Sequence, residues 1–183
     1  MKIEDEIETI LPFNFGKLRF EKIKFNDFLF LREEMKLEPM SLLSCRPINN
    51  EFEEDLESYF KERVEKSNGF VFSIYDLEEK NLLGRFSIFD FNSRNKALEI
   101  GFFILKPYRK KGYAEEVIKG IKKICFEILG INKISAQTGA FNRGSIALLE
   151  KAKFQRDGIL REHHEVNGVL FDDYIYSFLR KDY

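Results

Sequence analysis

The chain has 183 residues, 44% of them hydrophobic and 33% charged, so it is long enough for one domain with a sizeable core and too short for two ordinary ones. Its 30 basic and 31 acidic residues give a net charge of -1, which disfavours a nucleic-acid partner, because such proteins carry a basic surplus. The start MKIEDEIETI lacks the apolar segment of a signal peptide, and no run approaches 18 apolar residues. We therefore expect a single domain over residues 1–183, cytoplasmic and without a membrane partner.

The two cysteines, Cys45 and Cys125, are far apart and form no CxxC pair, so a zinc or redox motif is absent from the sequence. Cys125 lies in an apolar helical pattern. We expect it to be a small buried hydrophobic residue.

Apolar residues recur with period two in some segments and at helical spacing in others, which separates strands from helices. In chain order the predicted elements are a strand at 17–24, helices at 27–35 and from Asn50 to about Lys66, strands at 70–76, 82–91 and 97–105, a helix at 114–129, a strand at 133–138, a helix at 143–152 and two strands around Asn167-Gly168. Short turns join the three middle strands, so they are expected to form an antiparallel meander. The next strand, helix and strand form a crossover unit that is expected to be parallel. This order predicts an α/β fold with a mixed, mostly antiparallel sheet of about seven strands and helices on both faces.

Ten apolar positions on the inward faces of these elements are predicted to form the core. They are Phe20, Phe60, Phe72, Ile74, Phe86, Ile88, Ile100, Ile118, Ile121 and Leu148.

The most informative segment is RKKGYA (109–114), which lies between a strand and the first turn of a helix. Backbone N–H groups at a helix start have no intrahelical partner and carry partial positive charge, so a phosphate binds well there. Gly112 lets the backbone approach an oxyanion closely, and Lys106, Arg109, Lys110 and Lys111 add four cations. The alternative is a solvated basic turn. A Walker loop and a dinucleotide fingerprint both need glycines that this segment lacks.

Three motifs resemble the GNAT superfamily of N-acetyltransferases. RKKGYA matches the family's [QR]-x-x-G-x-[GA] cofactor signature, LEIGFFI resembles its fourth strand, and residues 142–154 resemble its N-x-x-S-x-x-x-L-E-K-x-G-F segment. The ending, with a VNG hairpin and DDYIYSFLRKDY, is similar to the branch that contains the ribosomal-protein N-terminal acetyltransferases. The resemblance is specific from about residue 97 to 183, and it implies a GNAT-type acyl-CoA N-acyltransferase fold.

The resemblance also implies a cofactor site for acetyl-CoA, with no metal. Backbone groups of Phe103, Ile104 and Leu105 would pair with the pantetheine arm, and an amide near Ile104 would stabilise the oxyanion. The loop residues Arg109, Lys110, Lys111, Gly112, Tyr113 and Ala114 would hold the pyrophosphate. Asn142 would hydrogen-bond the cofactor where two strands splay apart.

Direct transfer to an amine requires a base for the ammonium and an acid for the departing thiolate. Glu99, a carboxylate within an apolar strand, is the candidate base, although it could instead face solvent or a salt bridge. Many members of the family place a tyrosine acid where this chain has Leu149. The resemblance to the ribosomal-protein branch gives the role of acid to Ser145, for which a plain helix-start serine is the alternative.

Three further features have competing interpretations. The run Glu162 to Glu165, with two histidines, could suggest a metal, but neighbouring strand residues face opposite ways, so a pocket rim or plain surface is favoured. The acidic run 51–57 could attract a cationic acceptor or could be a solvated helix face. Lys153 stands where the family usually has glycine, and that position often needs a positive φ.

We therefore expect an acetyltransferase that acts on a primary amine, with a protein or peptide N-terminus as the leading acceptor. A small-molecule amine, such as an aminoglycoside or polyamine, is the nearest alternative. A catalytically silent acyl-CoA-binding module is the alternative of a different class. A homodimer is possible on the sequence, which does not define the oligomeric state.

Overall fold

The computed structural model describes residues 3–38, 45, 55–65 and 69–183. Within these ranges the strands form one sheet. They are β1 (Phe13–Phe15), β2 (Leu18–Lys22), β3 (Gly69–Asp76), β4 (Leu82–Asn92), β5 (Ala97–Ile104), β6 (Lys133–Gly139), β7 (Gln155–Val166) and β8 (Val169–Leu179). Their order across the sheet is β1-β2-β3-β4-β5-β6-β8-β7. Every neighbouring pair is antiparallel except β5 and β6, which are parallel, as the crossover pattern predicts.

The helices of the described residues lie between these strands in the predicted order, with one addition at the N-terminus. They are α1 (Ile3–Ile10), α2 (Phe25–Lys36), α3 (Leu56–Phe60, continued by a π-type turn Lys61–Glu65), α4 (Tyr113–Lys122, continued by a π-type turn Lys123–Ile128) and α5 (Arg143–Lys151). Helix α1 and strand β1 were not predicted, and with β1 the sheet has eight strands. No helix in the described part of the chain is long and apolar enough to cross a bilayer.

Helix α3 begins later than the sequence pattern predicts. Asp55 precedes its first turn, and the Asp55 carboxylate accepts a hydrogen bond of 2.9 Å from the backbone N–H of Ser58. The aspartate thereby satisfies one of the free N–H groups of the helix start. The capping pair predicted at Asn50 and Glu53, and most of the acidic run 51–57, lie outside the described residues.

Side chains on the two faces of the sheet form separate hydrophobic clusters, so helices cover both faces as predicted. One cluster packs the even-numbered positions of β3, β4 and β5 against α1 and α4, with Cys125 at zero exposure. The other packs Phe103 and Leu105 against α2 and α3. Nine of the ten predicted core residues are buried. Leu148 is the exception: it is partly buried, and Leu149 takes the inward position instead.

The sheet opens between β5 and β6. Their parallel pairing covers only Ala97 to Glu99 on β5, opposite Lys133 to Ser135 on β6. Beyond that point β5 continues to Ile104 and β6 to Gly139, and the two strands no longer pair. The splay exposes backbone on one side of β5 and positions the functional site.

Candidate active site

Two cavities meet at the splay between β5 and β6. The larger, of about 710 Å³, follows the end of β5 and runs between the starts of α4 and α5. The smaller, of about 210 Å³, lies over the opposite half of the splay. Five residues line both cavities: Phe102, Phe103, Phe141, Asn142 and Ser145. A ligand in one cavity can therefore touch a ligand in the other.

The larger cavity has the chemistry of a phosphate-binding cleft at its outer end. Gly112 precedes the first turn of α4 with φ of +81°, a left-handed conformation that favours glycine. A Cβ at this position would meet no atom within 4 Å, so the space beside the loop is open. Lys110, Gly112 and Ala114 line the cleft, with the free amides of the helix start beside them.

Arg109, which lines the cleft, has a carboxylate partner. Its guanidinium forms two hydrogen bonds to the Glu38 carboxylate, at 2.8 and 2.6 Å, and its Nε donates to the Ile104 carbonyl at 2.7 Å. The Arg109 hydrogen bonds hold the pKa of Glu38 below its ordinary value. Arg109 borders the cleft, but its charge is paired with a carboxylate. It therefore fastens the end of β5 to the segment after α2.

The backbone of β5 supports only part of the expected pantetheine pairing. The N–H of Leu105 donates to the Leu83 carbonyl of the β4 side at 2.9 Å, so it does not point into the cleft. Hydrogen-bonding direction alternates along a strand, so the N–H groups of Ile104 and Phe102 face the splay. The N–H groups of Phe103 and Leu105 therefore face β4, whereas that of Ile104 faces the splay, and the pairing of this segment with pantetheine stays a prediction.

Lys111 and Tyr113 do not line the cleft. The Tyr113 hydroxyl donates to Asp76 at 2.9 Å, and its ring lies 4.1 Å from the Lys17 ammonium. Lys111 is exposed, and its ammonium lies 5.7 Å from the Tyr108 ring. Any contribution of these two residues to phosphate binding would therefore come from their backbone amides.

Asn142 and Ser145 lie together at the junction of the cavities. The Asn142 Oδ1 atom accepts a 3.0 Å hydrogen bond from the Ser145 N–H and so caps α5. This contact fixes the amide plane and leaves its Nδ2 atom to donate to a ligand. The helix-start contact therefore uses Asn142 Oδ1 and the Ser145 backbone N–H, and it leaves Asn142 Nδ2 and the Ser145 hydroxyl for their predicted roles.

The floor of the smaller cavity is one face of the β4–β5 pair. Glu99 lies directly opposite Phe89, Gly101 opposite Ser87, and Phe103 opposite Arg85. Residues directly opposite each other share a face, and all six of these line the cavity. Glu99 is partly buried and lines this cavity, and its role as base stays a prediction.

A buried polar cluster of His164, Gln137 and Asp173 borders the smaller cavity. The Asp173 carboxylate has no exposed surface, and it lies 3.1 Å from His164 Nδ1 and accepts a 2.6 Å hydrogen bond from Gln137 Nε2. Burial, and then the Asp173 charge, raise the pKa of the Cys45 thiol to about 12. Cys45 is therefore a neutral thiol at physiological pH and a poor nucleophile.

Of the Glu162 to Glu165 run, only His164 takes part in this cluster. His164 is buried and lines the cavity, whereas Glu162, His163 and Glu165 are exposed. Donor atoms of His164, Asp173 and Cys45 lie within 4.8 Å of one another. The aspartate pair inside the otherwise apolar strand VLFDDYIYSFL is a sequence signal for this cluster, because a buried acid needs a partner.

The family model described as an acetyltransferase (GNAT) domain matches residues 25–155. The chain belongs to this GNAT family. “Probable N-acetyltransferase YjcK” of Bacillus subtilis (strain 168) is 31% identical over 124 residues, 67% of this chain and 68% of the relative. YdaF of the same organism, named as a candidate ribosomal N-acetyltransferase, is 28% identical over 107 residues, 58% of each chain.

Solved structures share the fold. The spermidine N-acetyltransferase from Vibrio cholerae, in complex with CoA and spermine, has a TM-score of 0.80 at 23% identity and covers 91% of this chain and 97% of its own. These comparisons confirm an acetyl-CoA-dependent N-acetyltransferase and the GNAT-type fold, and they favour the enzyme over a silent binding module.

Proposed function

We propose that this GNAT enzyme binds acetyl-CoA in the larger cavity and a primary amine in the smaller one. The observation that carries the proposal is the meeting of the two cavities at Ser145, with Glu99 on the floor of the smaller. The pyrophosphate would lie on the amides from Lys110 to Ala114. The acetyl thioester would lie beside the Ile104 amide, and the Asn142 side chain would hold the cofactor at the junction.

In the proposed reaction the ammonium first loses a proton to Glu99, through a water molecule. The neutral nitrogen then attacks the thioester carbonyl, and the N–H of Ile104 stabilises the oxyanion. Collapse of the adduct breaks the carbon–sulfur bond, and the departing thiolate takes the proton of the Ser145 hydroxyl. The nitrogen, which carries two protons after the attack, returns one of them to the Ser145 oxygen, and Glu99 releases its proton to solvent. The products are the acetylated amine and coenzyme A.

The leading acceptor is the α-amine of a peptide or protein. Support comes from the resemblance of the chain's ending to the ribosomal-protein branch and from the similarity to YdaF. A protein N-terminus is flexible enough to enter a cavity of about 210 Å³ through its first residues.

A polyamine is the second candidate acceptor. It is favoured by the fold neighbour that was solved with spermine and by the carboxylate of Glu99 in the smaller cavity. The two acceptors differ in charge, because a polyamine carries several cations and a peptide N-terminus carries one.

An acceptor screen that follows release of the coenzyme A thiol tests the proposal. Short peptides with free α-amines, the same peptides with acetylated N-termini, and spermidine would each be mixed with enzyme and acetyl-CoA. We expect thiol release with the free peptides and none above background with the blocked ones. Release with spermidine alone would overturn the peptide assignment, and no release with any amine would overturn the proposed acceptor site.

A further inference from the structure

An arginine lies in the proposed acceptor cavity and has no carboxylate partner among the described residues. Arg85 of β4 lies opposite Phe103 and lines the smaller cavity, on the same face of the sheet as Glu99. Burial lowers the pKa of its guanidinium, and the nearby Tyr59 acts in the opposite direction. The group nevertheless stays charged, because an arginine is not deprotonated in proteins.

A second arginine adjoins the same tyrosine. The Arg32 guanidinium of α2 lies 5.8 Å from the centre of the Tyr59 ring. Its Nε atom is buried and has no hydrogen-bond partner among the described residues. An unsatisfied buried donor costs free energy, which an acceptor atom on a ligand would recover.

The acid Asp27, near these arginines, forms hydrogen bonds with other side chains. Asp27 of α2 accepts hydrogen bonds of 2.6 Å from the hydroxyls of Ser73 and Tyr75, and Ser73 lies opposite Arg85 on β3. Within the described ranges, no carboxylate forms a salt bridge with Arg85 or Arg32. A partly buried charge without a counter-ion is unfavourable, so this end of the cavity is suited to an anion.

The cationic end and Glu99 lie at different ends of the cavity floor, with the Phe89 ring over Gly101 between them. Phe103 and Glu99 are four residues apart on β5, so Arg85 and Glu99 are roughly 13 Å apart along the strands. Ser87, which has a small side chain, and Gly101, which has none, lie between Arg85 and Glu99 on this face. A Cβ at Gly101 would come within 3.2 Å of the Phe89 ring.

We infer that Arg85, with Arg32 behind it, selects acceptors that carry a carboxylate or phosphate group at a distance from the reacting amine. The amine would lie at the Glu99 end and the anion at the arginine end. Arginine suits this role because its planar guanidinium binds two anionic oxygens at once. This inference rests on the proposed function, since it assigns the smaller cavity to the acceptor. It also disfavours polyamines, whose positive charges the two guanidinium groups would repel.

Paired acceptors that differ only in one negative charge test the inference in the wild-type enzyme. The peptide pair is Ala-Glu-Ala and Ala-Gln-Ala, each with an amidated C-terminus, and the small-molecule pair is 5-aminopentanoate and 5-aminopentanamide. We expect the acidic member of at least one pair to have a kcat/KM about tenfold or more above its neutral partner. The pair that shows the effect distinguishes a peptide acceptor from a free amino acid.

Arginine variants assign the preference to these residues. Arg85→Gln is expected to lower the acid-to-neutral ratio of kcat/KM about tenfold, and Arg32→Gln to lower it less. Arg94→Gln is the matched control, because Arg94 is exposed in the β4–β5 turn and lies outside the cavity lining. Thermal unfolding of each variant identifies any that fails to fold, in which case Arg32→Gln and the wild-type ratios still decide the question.

The outcomes separate the two proposals. Equal or faster turnover of the neutral members, faster turnover of spermidine, or an unchanged ratio in a folded Arg85→Gln enzyme would overturn this inference and leave the transferase proposal intact. No turnover of any acceptor would overturn the proposed function, and this inference with it.

Discussion

At the scale of single residues, Glu99 and Ser145 carry the proposed chemistry. Glu99→Gln removes the proton acceptor but keeps the shape of the side chain. We expect kcat to fall on the order of 100-fold, the usual contribution of a positioned base, while acetyl-CoA still binds. Thiol-release kinetics and calorimetry measure the two effects. Glu78→Gln, in an exposed turn, is the control. An unchanged kcat for Glu99→Gln would show that another group takes the proton.

Ser145→Ala tests the acid. The change removes the hydroxyl but keeps the backbone N–H that Asn142 caps, so α5 should remain intact. We expect a fall in kcat on the order of 100-fold, because the thiolate would then depart without a proton donor. Thiol-release rates of this variant and of Ser93→Ala, an exposed turn serine, give the comparison. If both variants match the wild type, Ser145 is only part of the helix start.

Sequence motifs predicted which residues lie near the site, but not which atoms face it. Gly112, Asn142, Ser145 and Glu99, which the motifs single out, line the two cavities. They could not show that Arg109 is bound to Glu38, 71 residues earlier, because that contact depends on tertiary packing. His164 and Asp173 were missed as a pair for the same reason.

At the scale of elements, Lys153 ends α5 at a measurable cost. Its φ is +67°, and the N–H groups of Lys153 and Phe154 bond to the carbonyls of Glu150 and Leu149, which forms a Schellman motif. Glycine adopts this conformation without strain. Lys153→Gly should therefore raise the free energy of unfolding by about 1 kcal/mol in denaturant titration. Lys153→Ala keeps a Cβ and should give no such gain, and equal effects of both changes would contradict the strain argument.

The Glu38–Arg109 pair joins the segment after α2 to the end of β5. Since the folded state lowers the pKa of Glu38, the pair stabilises the fold above about pH 4.5 and loses this effect as pH falls through the folded pKa. We expect Glu38→Gln to lower the free energy of unfolding by about 1 kcal/mol at pH 7, and by progressively less below pH 4.5. Denaturant titrations at several pH values measure the difference. A difference that is independent of pH would contradict the ionic origin.

Periodicity predicted most of the elements because their apolar patterns are regular. Strands β3 to β8 and helix α4 were found with small errors at their ends, and the parallel crossover followed from connection length. Helix α1 was missed, although Ile3, Ile7 and Ile10 recur at helical spacing and Ile7 is fully buried. The three residues of β1 are too few to show any period.

At the scale of the whole molecule, the function depends on a topological feature. The parallel strands β5 and β6 separate after three paired residues, and the two cavities occupy the gap. The proposed direct transfer requires this arrangement, because the amine would have to reach the thioester without a covalent enzyme intermediate. The family motifs implied the splay, but part of the lining of the smaller cavity comes from β4 and from Met35 of α2, where the motifs give no information.

The most direct test of this account is a calorimetric titration of acetyl-CoA into the wild-type protein, Gly112→Ala and Gly112→Trp. Both substitutions strain the positive φ of Gly112, but only tryptophan fills the open space beside the phosphate loop. The account predicts micromolar binding to the wild type, weaker or equal binding to Gly112→Ala, and none to a folded Gly112→Trp. Undiminished binding to Gly112→Trp would contradict the placement of the cofactor, and no binding to the wild type would contradict the site itself.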